Sequence, residues 1–123
     1  MQPPKFVGSK YDVSSRTATL TFNFTNPFKF DLTINSMSAN VECAVHGVLL
    51  GYTVLDKPIT VRASETAVVT VTCTWTEDAI RHFQNFHAGA KSIDVDLVGL
   101  TIYVKGIIFQ MNDRIRIPNV PIA

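Results

Sequence analysis

A chain of 123 residues is long enough for one hydrophobic core and too short for two. Hydrophobic residues make up 46% and charged residues 17% of it, a balance that excludes a disordered or low-complexity protein. Eleven basic against ten acidic side chains leave a net charge of +1, so no whole-molecule field draws nucleic acid or an anionic membrane.

The residue balance is that of strands. Val, Ile and Thr supply 37 residues and Leu only seven, and β-branched side chains suit a pleated, half-buried surface. The amino terminus, Met1 to Phe6, carries no apolar stretch behind Lys5, which is the pattern of neither a signal peptide nor a membrane anchor. The longest apolar run, Ala44 to Leu55, is broken by His46, Gly47 and Gly51 and falls short of the roughly 20 residues that cross a bilayer. With no membrane span, the expected location is cytoplasmic. An anchor upstream of this chain would instead make it the accessory domain of a longer membrane-anchored protein.

From Arg16 to Thr25 the residues alternate, with Ala18, Leu20, Phe22 and Phe24 on one side and threonines and Asn23 on the other. Period two predicts a strand with one buried and one wet face. Asn26-Pro27-Phe28 then marks a corner: proline ends ladder pairing and keeps Asn26 out of the helical region, and the short Asn side chain bonds local backbone. Alternation resumes over Phe28, Phe30, Leu32 and Ile34, and again from Met37 to Val45. Thr66 to Trp75 repeats it, with Ala67, Val69, Val71, Cys73 and Trp75 inward.

Thr76 to Gly89 breaks the period and reads as a short helix over about 77–88, with Thr76 as N-cap, Glu77 and Asp78 in the first turn and Gly89 at the stop. Ile80, Phe83 and either Phe86 or His87 fall at helical spacing and are expected to cap one open end of the core. Ile93, Val95 and Leu97 share a strand face, whereas Leu100, Ile102 and Val104 have the opposite parity, which demands a bulge near Val98-Gly99. A last strand from Ile107 carries Phe109, Met111, Ile115 and Ile117 and ends at Pro118. Six or seven strands with one helical connection describe an all-β protein, a small antiparallel β-sandwich.

Reactive motifs are sparse. Cys43 and Cys73 both take inward parity, and Trp75 follows the second of them. Antibody-type domains place the tryptophan between two bonded cysteines, so two free, buried thiols are favoured over a disulfide. His82 and His87 are five apart, a spacing that on a helix sends them to different faces and keeps them from sharing a metal. With His46, they read as solvated or packed side chains. Asp94 and Asp96 share a polar strand face without a third carboxylate or a calcium-type loop nearby. No nucleophile elbow, phosphate-binding glycine loop or His-Glu-x-x-His motif is present. Arg114 and Arg116 form no aromatic-plus-basic platform for a nucleic acid. No catalytic residue, cofactor or metal site is expected.

Taken together, the Asn26-Pro27 corner, the strand at Gly51, Ala63-Ser64-Glu65-Thr66 before a Val/Thr-rich strand, the helix from Glu77, and Val98-Gly99 through Gly106 to Ile117-Pro118 resemble the water stress and hypersensitive response domain of atypical late embryogenesis abundant proteins. The resemblance spans roughly residues 12–118 of a single domain, 1–123. It implies an immunoglobulin or fibronectin type III-like β-sandwich without enzymatic activity, associated with desiccation and stress tolerance, whose positions Asn26, Pro27, Phe28, Gly51, Gly106 and Pro118 serve conformation. It further implies partially unfolded proteins as clients, met through a threonine-rich face or an exposed sheet edge, an edge that would also serve a homo-oligomer. The alternative is a lipid or small apolar ligand held under the Phe-rich helix.

Overall fold

Alternation becomes structure first at β2 (Thr17–Thr25), where Ala18, Leu20, Phe22 and Phe24 are buried and the intervening side chains are not. The computed structural model describes residues 4–123, and the part of the amino-terminal reading that concerns Met1, Gln2 and Pro3 lies outside them. Before β2 comes β1 (Lys5–Asp12). The chain then runs β3 (Leu32–Cys43), β4 (Leu49–Leu55), β5 (Ile59–Val61), β6 (Thr66–Trp75), helix α1 (Glu77–Phe86), β7 (Ser92–Val104), β8 (Ile107–Gln110) and β9 (Ile115–Pro121).

The protein is all-β with one short helix. Among the described residues nine strands, not six or seven, pair antiparallel in one continuous sheet of order β1-β2-β6-β4-β3-β7-β8, with β5 joining β3 and β9 joining β7. The sheet curls. Strands far apart in that order meet, as the Ser9 hydroxyl of β1 donates to the Asn119 carbonyl of β9 at 3.4 Å. One apolar cluster fills the concave side, drawing Phe22 and Phe24 from β2, Val69 and Val71 from β6, Leu97 and Ile102 from β7, and Ile117 from β9.

Several boundaries differ from those read in the sequence. The parts of the two alternations that fall in strands, 32–34 and 37–43, belong to one strand, β3, whose parity switches through a register shift between Ile34 and Ser36. A bulge adds one residue to a strand without ending it. Phe28 and Phe30 precede that strand, and Val45, expected inward, lies exposed in the turn that follows it. The bulge expected at Val98-Gly99 is present: Gly99 takes φ +67° and the β3–β7 register shifts opposite it. The final stretch is two strands, since Asn112-Asp113 separates β8 from β9. Packed structure extends past the 12–118 span at both ends, through β1 and to Pro121 of β9. Pro118 sits within β9, exposed; a proline is tolerated there because β9 pairs on one side only.

Gly51 explains why β4 fits between β3 and β6. It pairs with Val41 on one side and Trp75 on the other, and a Cβ there would sit well inside van der Waals range of the Thr74 carbonyl. Backbone cannot yield as a flexible side chain can. Gly51→Ala is expected to cost upwards of about 3 kcal/mol or to prevent folding, because strands must part to admit the methyl; urea unfolding followed by circular dichroism measures it.

Candidate functional site

The sheet has two chemically different ends. At one lies the corner. Asn26 is buried, and its amide nitrogen donates to the carbonyls of Phe30 at 2.8 Å, Val61 at 3.1 Å and Arg62 at 3.2 Å. Its side-chain oxygen accepts from the Phe28 N–H at 2.9 Å, and its own N–H donates to the Glu65 carbonyl. One side chain therefore ties the β2–β3 connection to the β5–β6 connection. Pro27 is exposed, while Phe28 is half-buried and stacks on Phe30 with ring centroids 5.0 Å apart. Gly106, at φ +76°, turns β7 into β8. The corner, Gly51, Gly106 and Pro118 are spread over separate turns and strands and converge on no cavity.

At the other end the helix docks. Thr76 caps α1 by accepting from the Ala79 N–H at 3.1 Å, and the Thr76 N–H donates to the Leu50 carbonyl of β4. Ala79, His82 and Phe83 are the buried residues of α1; Ile80 is half-buried, and of the two candidates at the end of the helix Phe86 is exposed and His87 half-buried. Phe83 meets Trp75 edge-on at 5.4 Å. The helix ends at His87, whose φ of −130° and ψ of 31° leave the helical region, and Gly89 takes its left-handed conformation just beyond, at φ +80°.

That departure overturns the separation expected for the two helix histidines. A five-residue gap puts side chains on different faces only where both residues are helical. With His87 at the cap, the His82 and His87 rings stand 5.0 Å apart. The β3–β4 turn brings His46 to the same place. Cys43 closes β3, its N–H bonding to the Val48 carbonyl and its carbonyl accepting from Gly47, and His46 folds back to lie 4.9 Å from the His82 ring and 5.2 Å from that of His87.

The result is a cluster of one thiol and three imidazoles. Cys43 Sγ is 3.5 Å from His46 Nδ1 and 3.5 Å from His87 Nε2, and the four donor atoms all lie within 4.8 Å of one another. Cys43 and His82 are buried, His87 is half-buried and His46 is exposed. His82 Nε2 is buried without a hydrogen-bond partner. Burial, reinforced by the neighbouring His87 and His46, lowers the His82 pKa below the ordinary histidine value. The signal present in the sequence was Cys43-x2-His46 with His82-x4-His87, spacings at which zinc ligands occur; neither pair matches a search for Cys-x-x-Cys or for helical i, i+4 histidines.

Beside the cluster, and sharing His87 with it, lies a mostly apolar cleft of about 400 Å³ between α1 and the sheet, lined among others by Tyr11, Arg16, Trp75, Phe83 and Ile122. Trp75 Nε1 is the other buried side-chain nitrogen or oxygen without a partner among the described residues. Cys43 and Cys73 are free thiols, and burial pushes Cys73 up to about 12. Asp94 and Asp96 are occupied: Asp96 is buried and accepts from Arg116 Nε at 2.6 Å, and Asp94 accepts from the Asn119 N–H. Arg114 donates to Glu42 at 2.7 Å. No helix is long and apolar enough to cross a membrane among the described residues.

The late embryogenesis abundant protein family matches residues 21–116, and the chain belongs to that family. A crystal structure of a protein from Archaeoglobus fulgidus superposes with a TM-score of 0.63 at 11% identity, covering 97% of this chain and 95% of that one, a likeness of fold. A solution structure assigned to the late embryogenesis abundant proteins gives a TM-score of 0.44 at 14% identity, with 95% and 71% covered. No curated protein sequence matches the chain.

Asn26→Ala is expected to lower stability by about 2 to 3 kcal/mol, since the buried Val61 carbonyl loses its side-chain donor and the two connections lose their tie. Asn26→Asp, which keeps the acceptor and loses the donors, is expected to be comparably damaging. Denaturant midpoints within error of the parent protein for either variant would remove the corner's structural role.

Proposed function

We propose that this member of the late embryogenesis abundant family is a non-enzymatic, stress-associated module that protects partially unfolded proteins by binding them at a sheet edge. Family membership supports the general role. The observation that supports the mode is β8. It pairs with β7 alone, so its outer backbone groups face solvent, and Ile107 and Ile108 on it are 40% and 61% exposed. An unpaired edge that also displays apolar side chains is a template for another strand. Aggregating clients expose such strands, and nothing in a net charge of +1 opposes their approach. The disordered hydrophilic shielding mode does not suit this packed chain.

Equimolar protein is expected to suppress heat-induced aggregation of a test enzyme better than an equal mass of albumin. Ile108→Lys, a gatekeeper charge on the edge, is expected to remove at least half of that advantage while leaving the fold intact by circular dichroism. Parity with albumin sinks the reading. A concentration-dependent dimer that Ile108→Lys abolishes, with no client effect, assigns the edge to self-association instead.

The cleft under α1 favours a second reading, an apolar ligand carrying one hydrogen-bond acceptor. Trp75, whose buried indole N–H has no partner, and Arg16, a cation, both line the otherwise mostly apolar cleft. Trp75 is the single tryptophan, so its fluorescence reports the site. Titration with decanoate is expected to change that fluorescence saturably, with decanol, which lacks the carboxylate, binding more weakly; an unchanged emission spectrum counts against ligand binding.

A further inference from the structure

We propose that Cys43, His46, His82 and His87 bind one zinc-class divalent ion that clamps α1 to the β3–β4 end of the sheet. The donor set comes first. One thiolate and three imidazoles form a mixed sulfur and nitrogen set, which suits zinc and excludes magnesium and calcium, whose sites are built from oxygen. Four protein donors fill a tetrahedron, leaving no position for substrate, so the site is structural.

Geometry supports this number and shape. Metal bonds of about 2.3 Å to sulfur and 2.0 to 2.1 Å to nitrogen place tetrahedral S and N donors roughly 3.5 Å apart. Both measured Cys43 Sγ to imidazole separations are 3.5 Å. All four donor atoms lie within 4.8 Å of one another, so no pair has to close by more than roughly 1.3 Å to reach that tetrahedral spacing. His46 is exposed and borne on a turn rather than packed in the core, so its ring is the least constrained of the four.

The polar balance provides an independent observation. His82 is only 7% exposed, and its Nε2 has no hydrogen-bond partner although the surrounding cluster is rich in donor atoms. A buried ring nitrogen without a partner is destabilising, and a metal ion satisfies it. The sequence separation adds to this: Cys43 ends β3 and His46 lies on the turn after it, while His82 lies within α1 and His87 at its carboxyl-terminal cap, so the ion would bridge segments almost 40 residues apart. The buried side chains of α1 are Ala79, His82 and Phe83, so an ion held by His82 and His87 would add a tie to the packing that already docks the helix. Binding displaces the Cys43 thiol proton, and sulfur coordinates as thiolate.

The purified metal-free chain, titrated with Co²⁺, is expected to bind one equivalent with submicromolar affinity. The spectrum should show the intense visible bands of a four-coordinate site and a near-ultraviolet thiolate-to-cobalt band. Zn²⁺ should bleach both by displacement. Cys43→Ser should remove the thiolate band, and Cys73→Ala should leave it. His46→Ala changes an exposed residue and so tests the site without threatening the fold; it should weaken Co²⁺ binding by at least about tenfold. Saturating Zn²⁺ should raise the Tm of the parent protein, and His46→Ala should abolish most of the rise. Weak octahedral bands, a thiolate band that persists in Cys43→Ser, or affinity unchanged in His46→Ala would overturn the site. A Tm indifferent to Zn²⁺ would overturn the clamp.

Discussion

The fold depends on one constraint, that nine strands present a single dry face to one core. Leu20, Phe22, Val41, Val71, Val95, Leu97 and Ile117 come from five strands and are all 1% exposed or less. Because side chains alternate with a period of two, a one-residue slip anywhere would turn an entire apolar set outward. The long strands β3 and β7 nevertheless change parity midway. Each change coincides with a register shift in the β3–β7 pairing, near Asn35 and at Gly99, so an added residue restores the face instead of forfeiting it. The bulges are what allow strands of 12 and 13 residues to follow a curled sheet without losing their core side.

Polar groups are distributed unevenly against that core. At the corner, Asn26 is buried with every side-chain function bonded, and such a satisfied group specifies a connection at little cost. At the helix end, the two buried side-chain atoms without partners among the described residues, His82 Nε2 and Trp75 Nε1, belong to rings that both neighbour Phe83. Native interiors rarely leave such atoms unbonded. Their coincidence with a thiol-imidazole cluster and a cleft marks this end as the place where local chemistry outweighs packing economy.

Period-two alternation made β2, β3, β6 and β7 legible from residues alone, and capping chemistry placed α1 to within two residues of its observed end. β1 and β5 escaped because their exposure does not alternate cleanly: β1 is half-exposed along its length and β5 has three residues. The corner at Asn26 was legible because Pro27 enforces it. The cluster was not, and the reason is specific. Helical geometry was extended past Phe86 and through His87, whose backbone had already left the helix. The contribution of Cys43 and His46 depends on a turn closing over the end of β3, a tertiary fact that spacing alone does not carry.

The two proposed sites also lie far apart. Val95 pairs with Cys43 near the cluster, and Val104 pairs with Ile107 at the β8 edge; nine residues of extended strand separate them, about 30 Å. Effects at sites so far apart add without coupling, so occupancy of the cluster need not alter what the β8 edge binds. At the cluster end the carboxylates of Asp96 and Glu42 are engaged by Arg116 and Arg114. The partners proposed above, unpaired strands and a borderline-soft cation, would be met by an apolar strand edge and by soft nitrogen and sulfur donors, and neither meeting needs a long-range field.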